Sequence, residues 1–526
     1  MRDCLLAQVT TAFHTSYLAG RSRFWPTHFA DAVDRRTRTQ LAAQQRVTPE
    51  VLAVLREQNP HAPRAIESLA RGNTAVVVTG QQVGLFLGPL YSLYKAATAI
   101  TLAQKLSAQS GVACVPLFWL QTEDQDFAEI ASAAFIGDGG KVQTVRVTDD
   151  PALTRASVAQ RVLGPEIDEA RQTLAASLGD RGAQVAELLA RHYRPGISLA
   201  RAFSGVLSEI FAEEQLLVCD PRDARLSACA RKIWTGAISQ DSALEALLAQ
   251  RSAELQSAGF GEQIKLRAGS PLSFFHLGNS HGPRHRLQRD GESYRVLGAE
   301  GQLTRAELLG LVETDPLRFS TSAMLRPLLQ DTLLPTAAYV GGAAELDYFA
   351  QLEPLFAAFD LTPPLLVHRA RFRLWTAPAS RAREALGLAE NECAQSYEAL
   401  AARCASTAGA ELPGETWAKE LLARVSHFSA GASSEQLERV ANRTNLSITY
   451  AMSRLARAAE RERAEKADST QGRLRRLLAW MQPNGQPQER VLGFASFAAR
   501  CSVAELRRAI FAALDPFSAE LKDIHL

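Results

Sequence analysis

The sequence predicts an α/β protein: a parallel β-sheet core with inserted connecting segments, followed by an α-helical coiled-coil domain. Three observations carry that expectation. Short apolar runs of β type alternate with helical patterns, as strands and crossover helices do in a sheet covered on both faces. Near residue 378 the composition turns to Ala, Leu, Glu and Arg with helical periodicity. A chain of 526 residues also exceeds one ordinary core, so two to four structural units are expected.

In chain order, residues 1–70 read as helical, their charged residues interleaved with Leu, Ala and Val. A strand at 76–79, a helix at 90–109 and a buried strand at Ala113–Leu120 open the α/β alternation. Further β-type runs fall at 215–219, 336–340 and 364–367, and the stretches 140–190 and 225–310 read as insertions. Within the second, residues 270–296 carry Gly278, Asn279, Gly282, Pro283 and Gly291, a pattern of strands and turns in a small attached element. Residues 1–377 thus form the core and 378–481 the helical domain. In that domain 380–405 and 434–481 are expected as helices, joined by the Gly/Pro/Ser-bearing stretch 408–435 into an antiparallel hairpin or coiled coil. An apolar stripe (Leu437, Val440, Ala441, Leu446, Leu455, Ala458) beside a charge run fits either a solvated helix pair or a homodimerisation arm. The turn-rich stretch 482–490 opens the segment 482–526, which returns to the core with one more helix.

Composition narrows the function classes. The chain is 46% hydrophobic and 22% charged with net charge +2, which gives no reason to expect nucleic acid or an anionic membrane as partner. No apolar run is long enough to span a bilayer, and Met1-Arg-Asp-Cys lacks a signal peptide's apolar core, so a cytoplasmic location is expected. The seven cysteines (4, 114, 219, 229, 393, 404, 501) are scattered without a C-x-x-C pair, which fits a reducing compartment and no cysteine zinc site. Cys114 and Cys219 lie in β-type runs and read as small core residues. Gly282-Pro283 breaks any helix that would pair His281 with His285, and no metal signature is expected.

Three clusters carry potential chemistry. The first is the stretch TGQQVGLFLGP at 79–89, between the strand and the helix, with Tyr91 and Lys95 one turn apart beyond it. A strand, a Gly-rich turn and a helix would offer backbone N–H groups at a helix N-terminus to an anion, with Pro89 at the first helical position. Its spacing matches neither G-x-G-x-x-G nor G-x-x-x-x-G-K-[ST]. The second cluster is Trp119 with Glu123, Asp124, Gln125 and Asp126. The third runs from Arg326 through Gln330, Asp331 and Thr332 to Tyr339, Gly341, Gly342 and Glu345. All three follow or flank β-type runs, where ligands bind in open α/β sheets.

The blocks TGQQVGLFLGPLYSLYKAATAI, HYRPGISLARAFSGVLSEIFAEEQLLVCDPRD, PLFWLQTEDQDFAEI, RPLLQDTLLPTAAYVGG and PNGQPQERVL resemble the bacillithiol biosynthesis cysteine-adding enzymes. The resemblance runs over nearly the whole chain. It implies a Rossmann-like core with inserted connecting segments, a coiled-coil domain that makes a homodimer, and an adenine nucleotide, ATP or ADP, as bound cofactor. The implied reaction is that of a ligase joining cysteine, through an amide, to the amino group of glucosaminyl-malate. Two positions depart from the family pattern: Gln125 stands in an E-D-H-D motif, and Gly261 where histidine is usual. A related ligase acting on another amine and a non-catalytic dimeric scaffold are the alternative functions.

Gly80, Gln81, Gln82 and Gly84, with Thr79 before them, are expected to hold a carboxylate or phosphate, against the alternative of a turn packed for structure. Lys95 and Arg326 are expected on malate carboxylates or phosphates, with an ordinary solvated face as the alternative for Lys95. Glu123 and Asp124 are the candidates for binding an ammonium group or acting as base. Asp126 with Glu129 fits a capping box, and Trp119 reads as core rather than stacking platform. The last block adds Asn484, Gln488 and Arg490 to the expected substrate or nucleotide contacts.

Overall fold

The computed structural model describes residues 12–137, 139–406, 413–430, 434–466 and 468–526; Cys4 and parts of the stretch 408–435 lie outside them. Five parallel strands form the central sheet: β1 (Thr74–Gln81), β2 (Ala113–Leu120), β3 (Leu217–Cys219), β4 (Thr336–Gly341) and β5 (Leu365–His368), in the order β5-β4-β1-β2-β3. Each corresponds to an expected run, displaced by a residue or two at its ends. β1 is central, pairing Val78 with Leu117 on one side and with Tyr339 on the other. Its residues 74–80 are all buried, as a strand covered on both faces requires. Alternate side chains feed two cores: Trp119 and Cys219 enter one, Phe118 and Val218 the other. This is a Rossmann-like arrangement, with the strand order reversing between β1 and β4.

The helix Tyr91–Ser110 returns from β1 to β2 and ends at Gly111, whose φ of 73° is the left-handed conformation that closes helices at low cost. Four helices, Phe13–Ala19, Ala32–Ala42, Pro49–Gln58 and Pro63–Arg71, make up the amino-terminal region. The second insertion holds a five-stranded antiparallel sheet in the spatial order Phe319–Thr321, Ser273–His276, Arg284–Asp290, Ser293–Val296, Gln302–Thr304. The attached element expected at 270–296 is its middle; the edges reach further along the chain. His281 lies in a turn and His285 on a strand of this sheet.

The helical region differs from expectation. The stretch 408–435, expected to be a linker, contains the helix Pro413–Ala430, which packs along Glu435–Lys466. The long hairpin is therefore made by these two helices, not by 380–405 and 434–481. Pro413 at the first helical position costs no hydrogen bond, and the residues after Thr416 are mostly good helix formers. The glycines and serines that suggested a linker sit at its margins. Leu437, Val440, Leu446 and Leu455 are exposed, as are Trp417 and Tyr450, whereas Ala441 is buried.

The carboxyl-terminal segment ends in a strand the sequence reading missed. Leu521–His525 pairs in parallel with Arg371–Trp375. Nearer the sheet, the Leu90 N–H donates to Leu492 O at 2.9 Å, fastening the start of the helix Tyr91–Ser110 to the returning chain.

Candidate active site

At the carboxyl ends of β1 and β4, where the strand order reverses, the crevice is filled by the protein's own polar groups. The Lys95 side chain is 3% exposed, which rules out the solvated-face reading. Its ammonium donates to Gly80 O at 2.8 Å, Gln81 Oε1 at 2.9 Å and Glu345 Oε2. All three donors are spent, so the expected role on a substrate anion finds no free group here. Glu345 caps the helix Ala343–Ala358 by accepting from the Gly342 N–H at 2.8 Å, and it also accepts from Tyr339 OH at 2.5 Å. Arg326 donates to Gln330 Oε1, Tyr339 OH and Tyr348 OH at 2.9–3.1 Å. Gly341 is tightly enclosed: an added Cβ would lie 3.0 Å from Leu346. Tyr91, held by Gln81 at 3.3 Å, has its hydroxyl pKa pushed up to about 12, chiefly by burial.

The Gly/Gln turn is not an open anion cradle. Between β1 and the helix the chain makes a buried 3₁₀ turn, Leu85–Leu87, and Pro89 precedes the helix cap instead of starting the helix. The N–H groups of Gly84, Leu87, Gly88 and Leu90 bond to Gln82 O, Tyr193 OH, Leu85 O and Leu492 O. Gly84 has ordinary extended geometry, and its small size serves packing: a Cβ there would lie 2.9 Å from Gly88 Cα. A Cβ on Gly80 would likewise lie 2.9 Å from Trp119 O. Thr79 donates to Val340 O at 2.8 Å inside the sheet. These four N–H groups are therefore held by the protein itself and are not free for an anion.

The third cluster is split by its own helix. Arg326–Leu333 begins beside the carboxyl edge of the sheet and runs back to Thr336, where β4 starts. Gln330 bridges Arg326 and Asp331 along it. Asp331 therefore lies near the opposite edge with Arg38, which donates to Thr336 O at 2.8 Å. Burial raises the Asp331 pKa to about 6, and Thr332 bonds back to Leu328 O. Asp331 and Thr332 are thus not brought to the crevice. Gln488 is also structural, with its amide spent on Leu374 and Trp480 backbone groups. Asn484 is exposed at φ 54°, and Arg490 is exposed within electrostatic reach of Tyr91.

The second cluster opens onto a cleft of about 670 Å³. One wall is Glu123, Asp124, Gln125 and Asp126, following β2; the other is Phe274, Arg284 and Arg286 from the antiparallel sheet, and the loop 264–272 closes one side. Trp119 is fully buried in the core at its base. Glu123 is sealed, its carboxylate taking the Thr321 N–H at 3.2 Å and the Thr321 hydroxyl, and burial raises its pKa. Asp124 is more open, its side chain 38% exposed: Gln82 Nε2 donates to it at 2.9 Å, the Gln125 N–H at 2.7 Å, and Arg284 lies at 3.5 Å. Gln125 Oε1 is buried with no hydrogen-bond partner. Asp126 caps the short helix Phe127–Ile130 through the Glu129 N–H at 3.3 Å. Glu129 is exposed, its pKa raised by partial desolvation and then by Asp126 and Asp124. Among the described residues no group of three or more His, Cys, Asp or Glu is gathered to hold a metal ion, and no helix is long and apolar enough to cross a membrane.

A family model described as the N-terminal Rossmann-like domain of bacillithiol biosynthesis BshC matches residues 2–370. The chain belongs to the BshC family. Relatives named "Putative cysteine ligase BshC" include one from Koribacter versatilis, 32% identical over 95% of both chains. Another, from Salinibacter ruber, is 29% identical over 93% of this chain and 91% of the relative. A third, from Solibacter usitatus, is 31% identical over 86% of both. The cleft lies wholly inside the part matched as the BshC Rossmann-like domain.

In this BshC-family chain, sequence reasoning missed two arginine contributions. Arg284 and Arg286 stand two apart on a strand, so both face the cleft and flank Phe274. That alternation was readable, but the insertion carried no motif to direct attention to it. Arg369 and Glu489 form a buried bidentate pair, both bonds 2.8 Å, behind Tyr91. Glu489 belongs to the block PNGQPQERVL, but its partner lies 120 residues away.

Proposed function

We propose that this chain is a cysteine ligase that forms an amide between the cysteine carboxyl and the amino group of glucosaminyl-malate. The carrying observation is the cleft wall around Asp124 in a member of the BshC family. An amine must be oriented and must give up a proton as its nitrogen attacks the carboxyl carbon; the N–C bond forms as the C–O bond breaks, the oxygen leaving with the phosphoryl or adenylyl group that ATP would place on it, or as water where the carboxyl is not activated. Asp124 suits both needs, because its carboxylate borders the cleft while Gln82, Arg284 and the Gln125 N–H hold it in one orientation. Gln125 borders the cleft too, but its unpartnered Oε1 is buried in the wall and would have to turn outward to accept from an ammonium group. Glu123, sealed by Thr321, supports this wall and does not reach the substrate. The relatives' printed names, cysteine ligases, point the same way. The exposed apolar residues of the helix Glu435–Lys466 support reading the hairpin as a homodimerisation arm, and the absence of a membrane-crossing helix among the described residues accords with a cytoplasmic enzyme.

The test is direct. Purified protein is incubated with cysteine and glucosaminyl-malate, with and without ATP, and bacillithiol is measured by mass spectrometry. Asp124→Asn keeps the shape and removes the base, so the rate should fall by ~10²–10⁴-fold. An unchanged rate in the folded variant removes Asp124 from the mechanism; no product from the natural protein under either condition refutes the substrate assignment.

A further inference from the structure

The cleft has a second wall whose charges are not balanced by the protein. Arg284 and Arg286 both lie over Phe274, their guanidinium carbons 3.5 and 4.4 Å from the ring centroid. The two differ in what they hold. Arg284 is committed, donating to Ser320 Oγ at 3.1 Å and Thr321 O at 2.8 Å and lying beside Asp124. Arg286 is half-buried and has neither an acidic partner nor a side-chain hydrogen bond among the described residues. Arg267, also lining the cleft, is close enough to join burial in lowering the Arg286 pKa: two like charges share one wall. The nearby acids are already engaged. Asp241 is paired with Arg289 at 2.8 Å and accepts from Tyr294 OH at 2.9 Å, while Glu245 takes Arg289 and the Gly269 N–H at 3.0 Å each.

Two neighbouring guanidinium groups without a counter-ion, one of them braced on an aromatic face, are prepared for a dianion. We propose that Arg286 and Arg267 form a seat for a dianionic group, the malyl dicarboxylate of the sugar substrate, across the cleft from Asp124. This assignment rests on the reading given under Proposed function and adds the residues that select for the malyl group. Lys95, first expected in that role, is spent on Gly80, Gln81 and Glu345, and Arg326, which borders the same cleft, is already held by Gln330, Tyr339 and Tyr348. A cleft acidic on one wall and basic on the other accepts an amine-bearing dicarboxylate in one orientation, presenting the amine to Asp124.

The experiment is calorimetric titration of the full-length natural protein and of Arg286→Gln, Arg286→Lys and Arg267→Gln. The probes are glucosaminyl-malate, malate alone, methyl glucosaminide, which lacks the malyl group, and ADP. Each Gln variant should weaken glucosaminyl-malate and malate by about 10- to 100-fold, the range of a lost charge-assisted hydrogen bond. Arg286→Lys should recover part of that loss, and methyl glucosaminide and ADP should bind as before. Arg267 is exposed, so its variant reports even where changing Arg286 disturbs the fold. Unchanged affinity for both malyl probes in folded variants, no malate binding by the natural protein, or a loss confined to ADP would each overturn the assignment. Malate binding that depends on both arginines, in a protein that does not bind glucosaminyl-malate, would keep the seat and reject the substrate reading instead.

Discussion

Replacing Lys95 tests whether the crevice between β1 and β4 is built for stability or for a ligand. The ammonium is nearly inaccessible and lies against Gly80 O, Gln81 Oε1 and Glu345. Lys95→Met keeps much of the volume and removes the charge, leaving the Glu345 carboxylate with only the Gly342 N–H and Tyr339 OH. Breaking one side of a buried pair costs about 3–5 kcal/mol, because the surviving charge stays desolvated. Glu345→Gln should cost a similar amount. The double variant should lose much less than the sum, since removing both charges also removes the uncompensated one. Guanidinium unfolding followed by far-UV circular dichroism and by the fluorescence of buried Trp119, Trp234, Trp375 and Trp480 gives the free energies where the two probes coincide. A Lys95→Met cost below about 1 kcal/mol, or additive losses in the double variant, would refute the buried-pair reasoning. If Lys95 instead holds a substrate anion, its loss would weaken substrate binding and leave stability almost untouched.

Three other outcomes follow from the same geometry. The Asp331 pKa is raised from 3.8 to about 6, so the protonated form favours the fold below about pH 4, and that contribution is lost as pH rises through 6; Asp331→Asn should flatten this dependence and gain up to about 3 kcal/mol relative to the natural protein at pH 7.5. Melting temperatures of the two proteins that stay parallel between pH 4 and 7 would contradict it. Gly84→Ala should destabilise by about 1–3 kcal/mol, because its Cβ meets Gly88 Cα and backbone cannot yield as a side chain can; an unshifted melting curve would return the turn to the open-cradle reading. Replacing 407–466 with a short linker should take the light-scattering mass from that of two chains to that of one, and a variant that keeps the mass of two shortened chains would remove the dimer arm.

The sheet was legible because buried parallel strands write themselves as unbroken apolar runs: 75–78 and 115–120 leave no other economical reading. The strand Leu521–His525 was not, since Lys522, Asp523 and His525 break its apolar pattern and its stability comes from pairing with Arg371–Trp375. The helix Pro413–Ala430 was hidden by breakers that lie at its ends, where they are compatible with helix formation. In the site, residue types were easier to read than allegiances. Lys95 and Glu345 were both singled out as ligand groups, but nothing in the sequence places positions 250 residues apart within a hydrogen bond of each other. Asp331 was misplaced for a different reason: the helix Arg326–Leu333 rises about 1.5 Å per residue, so five positions carry Asp331 about 7.5 Å away from Arg326, back toward the start of β4.

The filling of the β1–β4 crevice has a consequence for where chemistry can occur. In an open doubly wound sheet the reversal of strand order leaves a gap that ligands enter. Here Lys95, Glu345, Arg326 and Tyr339 occupy the gap, and the returning chain closes over its edge through Leu492. An opening remains at the neighbouring position, beyond the carboxyl end of β2, and it becomes a cleft because the antiparallel sheet of the second insertion supplies the missing wall. Gln82 links the two regions by bonding directly to Asp124, so the rigid cluster behind it helps fix that carboxylate. If Asp124 is the base proposed above, the polar groups of the Gly/Gln turn support it from one strand away, and loosening the cluster should lower the rate through Asp124 without touching the substrate.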